Sequence, residues 1–417
     1  MNVTVTPLDS DAIAAKARDM LQKGQAKESE ALCQQLLADQ PDNRDALYIL
    51  AVSQRTQRKF ADALATIKRL ISINPANGRA HQEHGHCLRD MGDSNAALMA
   101  YQNAITHNRA LLASWNMLAR LNRAAGRTAA AEFAEIQSEY WSALPPDLLT
   151  VASLIEEGRF LRAENLCRAF LQTHGHHVEA MRLLAQIGTQ FNVLDEAEFL
   201  LESAVELEPD NPGARFDYVT VLQSRQKFAQ ALEQAKILRE HDPENPQVEM
   251  LYANQSLGVG NFDEALSIYK TIAAAQPGNP SVHLTLGHAL KTTGRQQEAI
   301  EAYSQAYRVR PDFGDAYWSL ANLKTYRFDA DLVSKMRDIE DQATTQLVDR
   351  YHLCFAIGKA LEDSGDYATS FDYYERGNRL KREELKYDPQ RLEDEMQRQR
   401  DHVTADMLAR FEGAGCT

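Results

Sequence analysis

Cysteine is scarce in this chain. There are five in 417 residues: Cys33, Cys87, Cys167, Cys354 and Cys416. No two of them form a CxxC pair, so neither a zinc site nor a dithiol redox motif is written here. The expectation is small buried thiols in a reducing compartment. Positive charge is also in deficit. A formal charge of −14 argues against non-specific nucleic-acid binding by the chain as a whole. No apolar run approaches the roughly 18 residues of a membrane helix. The opening MNVTVTPLDSDAIAAKARD lacks a basic segment followed by an apolar one, so no signal peptide is read and a cytoplasmic location is expected. Glycine and proline are modest, at 20 and 13, and no low-complexity tract occurs. Nowhere do apolar and polar residues alternate as a strand requires, which excludes a β architecture.

What the chain does have is a spacing. Pro209, Pro243, Pro277 and Pro311 stand 34 residues apart, and so do Ala197, Ala231, Ala265 and Ala299. Two ladders of one period in fixed phase indicate stacked copies of one supersecondary unit. The unit reads as two helices, for example SVHLTLGHALKTTG followed by RQQEAIEAYSQAYRVRP. Gly287 and Ala299 leave room where the helices approach, and Tyr303 fills the gap. Gly294 can take the left-handed turn between them, and Pro311 ends the second helix. An all-α, right-handed superhelix of about ten or eleven such pairs is expected. A solenoid of this kind escapes the usual size limit on one core, because each repeat packs only on its neighbours.

Counted in steps of 34, the organisation is as follows. Residues 1–9 form a leader, and 10–143 hold repeats one to four. The phase then slips by two residues behind Pro145 and Pro146. Residues 144–311 hold repeats five to nine, and a boundary between two repeat blocks is expected at the slip. Residues 312–350 are a degenerate repeat ten, whose second helix, ADLVSKMRDIEDQA, lacks the small-residue pattern. Residues 351–387 are repeat eleven, marked by Gly358, Gly365 and Tyr374. Residues 388–417 are a helical linker, with Asp388 and Pro389 at a helix start and Thr404 capping a short helix that ends at Gly413.

The unit resembles the tetratricopeptide repeat, with a large residue near position 4, Leu at 7, Gly or Ala at 8, Ala at 20, an aromatic at 24, Ala at 27 and Pro at 32. The stretch FAIGKALEDSGDYATSFDYYERGNRLKRE, then YDPQRL, then VTADMLARFEGAGC is similar to the segment joining repeats to catalytic domain in bacterial tetratricopeptide-repeat sulfotransferases. The likeness is close over about residues 350–416. It implies a non-catalytic, partner-recruiting arm of an enzyme that uses 3′-phosphoadenosine 5′-phosphosulfate (PAPS). In that family a strand and a P-R-S-G-T-T loop follow, cradling the phosphosulfate on backbone N–H groups. The 417 residues contain no such loop. Gly258 and Gly260 sit at a repeat turn with no strand before them. No catalytic, cofactor or metal residue is therefore assigned, and the chain alone is expected to lack activity. The alternative is a free-standing cytoplasmic adaptor with no enzyme attached.

Repeat positions 2, 5, 9 and 12 are expected to line a concave groove for a protein or peptide partner. In repeats two to four they include Arg55, Arg79, Gln82, His86, Arg89, Asn116, Arg120 and Arg123, a basic strip that suits an acidic segment. The competing expectation is that carboxylates such as Asp45 or Glu83 neutralise each arginine. In repeats six to eight the same face carries Arg182, Gln186, Phe216, Gln223, Met250 and Asn254. The Lys and Asn set that clamps chaperone tails is missing, and so is a continuous asparagine ladder. His174, His176 and His177 in THGHH could bind metal but read as exposed loop histidines. The pairs Glu156/Glu157 and Glu206/Glu208 have no pocket implied around them.

Overall fold

The computed structural model describes the backbone of residues 7–385 and 388–410 and the side chains from residue 10 onward. Among these residues there are 24 helices and no strand. The chain divides into two compact units, one reaching Gln226 and the other starting at Lys227. The break does not fall at the phase slip near Leu144.

The first unit holds α1 (Pro7–Gln22), α2 (Ala26–Asp39), α3 (Arg44–Thr56), α4 (Phe60–Ile73), α5 (Gly78–Asp90), α6 (Ser94–His107), α7 (Leu112–Ala124), α8 (Thr128–Ala143), α9 (Pro146–Glu156), α10 (Phe160–Thr173), α11 (Val178–Gln190), α12 (Leu194–Leu207) and α13 (Pro212–Ser224). They pack as consecutive hairpins, each second helix lying on the first helix of the next pair. The contact is thinner at the slip, where α8 reaches the cluster holding the α9 core residues through Trp141, near its end. The leader expected over 1–9 is partly helical, since α1 begins at Pro7, and residues 1–6 lie outside the described residues.

The second unit holds α14 (Phe228–His241), α15 (Pro246–Gly258), α16 (Phe262–Ala275), α17 (Pro280–Thr292), α18 (Gln296–Val309), α19 (Gly314–Ala321), α20 (Ala330–Glu340), α21 (Leu347–Ser364), α22 (Tyr367–Leu385), α23 (Pro389–His402) and α24 (Ala405–Arg410). Helix α19 takes α21, not α20, as its neighbour, and α20 lies against α21. A helix outside the hairpin does not need small residues at the hairpin contact. Asp388 accepts from the Gln390 N–H at the start of α23, and Thr404 accepts from the Met407 N–H. The expected end at Gly413 lies outside the described residues.

Three interactions recur with the period. The first is the cap: Asn43, Asn77, Asn211, Asn245 and Asn279 each accept a backbone N–H in the first turn of the following helix, satisfying a donor that has no partner inside the helix. The second is the turn. Gly294 has φ 76, and Arg58, Asn192 and Gln226 hold the same left-handed conformation at φ 61, 59 and 59, so register overrides the preference for glycine there.

The third is a tie between repeats. The carbonyl six residues before the large position-4 side chain accepts from it: Pro75 from His81, Arg109 from Trp115, Pro209 from Arg215, Pro277 from His283 and Pro311 from Tyr317, at 2.6–2.9 Å. The position is large because it must reach back; where its tip is a donor the carbonyl takes it, while Leu47 and Met181 fill the same place without one. Tyr317→Phe keeps the shape and orphans the Pro311 carbonyl. A loss of ~1 kcal/mol is expected, read as a lower urea midpoint, and an unchanged midpoint would show the bond to be dispensable.

The small residues act as expected. A Cβ on Gly85 would sit 2.7 Å from the Tyr101 ring, and one on Gly287 would collide with Tyr303. Ala299 is fully buried in α18, which packs along α17. Ala299→Leu should overpack that contact and cost ~1–3 kcal/mol, felt most in the adjoining helices, and hydrogen exchange on α17 and α18 would reveal it.

Candidate partner-binding faces

The residues expected to line a groove all lie on first helices of repeats, but few of the cations are free. Arg55 is half-buried on α3 and bound to Glu83, with Asp90 3.1 Å from its Nη1. Burial works against its charge, and Glu83 and Asp90 outweigh it, so its pKa rises. Arg89 also clamps Asp90, at 2.5 and 2.9 Å. Arg123 on α7 holds both oxygens of Glu135 at 2.6 Å. Asn116 accepts from Ser138 at 2.8 Å, and Gln82 is half-buried on α5. Arg120 is exposed on α7. The expected strip is thus largely a set of ion pairs, in which the alternative partner Glu83 is realised.

Arg79 has an unexpected partner. It binds Glu157, at the end of α9, and donates to the Ser153 hydroxyl at 3.1 Å. Asn108 donates to the Ser153 carbonyl and hydroxyl at 3.3 and 3.0 Å. Arg159 reaches Asp45 at 3.3 and 3.4 Å. Repeat five is therefore latched onto repeats two and three. The turn after α9 and the starts of α3 and α5 enclose a cleft of about 600 Å³.

Arg182 on α11 bonds Glu179 at 2.7 Å and Asp217 at 2.8 Å. These two carboxylates overcome the cost of burial and hold its pKa above the usual range. A Cβ at Gly213 would lie 2.7 Å from the guanidinium carbon, so the glycine leaves space for it. Tyr140 donates to Glu179 at 3.1 Å. These residues line a cleft of about 690 Å³ with Glu208 and Asp210. Gln186 is exposed, while Phe216, Gln223 and Met250 are half-buried.

His86 belongs to a structural set. Its Nδ1 lies 2.7 Å from the Tyr101 hydroxyl, and His288 makes the same contact with Tyr303 at 2.9 Å. At the equivalent place Asn254 accepts from Tyr269 at 2.5 Å. The loop histidines also pack: His174 stacks on Phe170 with centroids 4.2 Å apart, and His177 meets its edge at 5.3 Å. Burial pushes the Cys33 and Cys87 thiols up to about 11 and those of Cys167 and Cys354 up to about 12. Inert packing suits such thiols, and Cys416 lies outside the described residues. Among those residues no helix is long and apolar enough to cross a membrane.

Tetratricopeptide-repeat signatures match residues 14–78, 190–254, 256–323 and 351–384, together more than half of the chain. The chain belongs to the tetratricopeptide-repeat family. No curated protein sequence matches it. Solved structures similar to this tetratricopeptide-repeat protein include MamA AMB-1, at 21% identity and TM-score 0.36 over 40% of this chain and 99% of that one. MamA from Desulfovibrio magneticus RS-1 gives 12% identity and TM-score 0.37 over 40% and 98%. MamA MSR-1 gives 21% and 0.35 over 39% and 93%.

Proposed function

We propose that this repeat protein is a scaffold that recruits a protein partner, and that it serves as the recruiting arm of a PAPS-dependent sulfotransferase. The scaffold role is supported by the stacked helix pairs, whose first helices carry polar side chains outside the core. No metal, cofactor or closed acid–base pocket is needed for it. The sulfotransferase role is supported by the residue pattern over about 350–416 alone. In this reading the partner delivers, or is, the sulfate acceptor, while PAPS binds a phosphosulfate loop outside these 417 residues.

Two measurements separate the parts. An affinity capture with the isolated chain tests the scaffold, and a chain that retains no partner contradicts it. Reading the codons downstream of Thr417 tests the enzyme. A P-R-S-G-T-T-type loop within a few tens of codons supports the arm, and an immediate stop supports the free-standing adaptor. The isolated chain is expected not to bind PAPS in a calorimetric titration.

A further inference from the structure

We infer that α8 carries a docking strip for a basic amphipathic helix, an assignment that rests on the scaffold reading and gives it a place and a partner chemistry. Phe133, Ile136 and Tyr140 follow one another at i, i+3 and i+7, so they share a face of α8 over about 10 Å. They are 58%, 62% and 43% exposed. The opposite side of the helix buries Ala131 and Ala134. At the same register, repeat seven carries Glu233, Lys236 and Glu240, and repeat nine carries Glu301, Ser304 and Arg308. Repeat three has Met99 and repeat six has Phe199 at the place of Phe133, both exposed, but Gln102 and Thr106, and Glu202 and Glu206, follow them at the other two places. On α8 all three places carry large apolar side chains, which marks a contact surface. The strip lies on the helix whose contact with the next repeat is thinner, made near its end by Trp141.

The strip is held ready. Phe133 meets the Trp115 ring edge-on at 6.0 Å, and Tyr140 meets Trp141 at 4.9 Å. Tyr140 is further fixed by its bond to Glu179. Side chains already ordered lose little entropy when a partner arrives.

Charge selects the occupant. Glu132 and Glu139 stand one residue before Phe133 and Tyr140, along one flank of the strip. At its far end Tyr140 walls the 690 Å³ cleft with Glu179, Glu208 and Asp210. The one arginine there, Arg182, is already divided between Glu179 and Asp217. A second copy of the chain would bring Glu132 and Glu139 against their own counterparts, and an anionic lipid surface would be repelled likewise. A helix laying apolar residues at i, i+3 or i+4 and i+7 over the strip, with Lys or Arg along its edge and end, satisfies both the apolar and the acidic parts.

The test uses the full chain and a labelled model helix of about 18 residues with Leu on one face and Lys elsewhere, alongside its Leu/Glu counterpart. Anisotropy titrations should show the Lys helix binding, and Ile136→Asp weakening it at least about ten-fold. The double change Glu132→Lys with Glu139→Lys should do the same and flatten the salt dependence. Glu233→Lys with Glu240→Lys, an equal charge change at the same register of repeat seven, should have little effect. All sites are exposed, so unchanged circular dichroism and urea midpoints show that folding is not in question. Equal losses in both double variants would reduce the effect to net charge and overturn the site. So would equal binding of the Glu helix, or a wild-type dimer that Ile136→Asp splits. Partner capture that ignores Ile136→Asp would sink the strip while leaving the scaffold standing.

Discussion

Removing Arg350 and Arg376 together, as alanines, is expected to destabilise the second unit by about 3–5 kcal/mol. Their shared partner is Glu340, at the end of α20, whose side chain is 1% exposed. Arg350 approaches it at 3.5 Å from α21 and Arg376 at 3.0 Å from α22. Neither arginine is fully buried, at 31% and 33% exposure, so each can regain water when the pair is broken. The carboxylate cannot. Stranding it is therefore the costly direction, and Glu340→Ala should do less harm than the double change. A triple replacement by methionine removes the charge and its partners together and should recover much of the loss. Urea unfolding followed through the tryptophan Trp318 would report it. Equal midpoints for wild type and double variant would show that Glu340 is solvated in solution.

The second large effect is set by pH. Burial, with Arg55 and Arg89 adding repulsion, lowers the His86 pKa from 6.5 to about 4, against a smaller opposing pull from Asp90. The folded protein thus binds this proton less readily than the unfolded chain. The contribution is complete above about pH 6.5 and is lost as pH falls toward 4, up to roughly 3 kcal/mol. His86→Asn should abolish that part of the acid sensitivity without losing the contact to Tyr101, because Asn254 already makes it to Tyr269 in repeat eight. Stability measured at pH 7 and pH 4.5 decides the matter, and parallel losses in both proteins would clear His86. His288, lowered for the same leading reason, should contribute in the same direction.

The 34-residue ladder made the helix pairs, the turn glycines and the small buried residues legible, because each is dictated by local sterics repeated in register. The carbonyl ties were half visible. Position 4 reads as large, but His81, Trp115, Arg215, His283 and Tyr317 share a donor and not a residue type, so the common role shows only in the folded chain. The asparagine caps were legible in principle, since Asn43 and Asn77, and Asn211, Asn245 and Asn279, keep the same period. Which of the two expectations for the arginine strip holds is not legible in the sequence, because register gives a side chain's face and says nothing of the carboxylate opposite. Arg79 shows the limit: its partner Glu157 is 78 residues away. The α8 strip is half legible in TAAAEFAEIQSEYWSAL: the helix period gives Phe133, Ile136 and Tyr140 one face, but not whether another helix covers it.

The latch from repeat five to repeats two and three changes how the first unit comes apart. A chain of nearest-neighbour repeats can melt stepwise, each unit leaving as its neighbour goes. Contacts spanning 74 to 114 residues turn repeats two to five into a closed ring, which opens only when the ring breaks as a whole. Repeat one can fray outside it, but the ringed repeats should share one protection level in hydrogen exchange. Closing so long a loop is expected to be a late step in folding, and replacing Arg79, Asn108 and Arg159 together by alanine should return the segment to piecemeal melting.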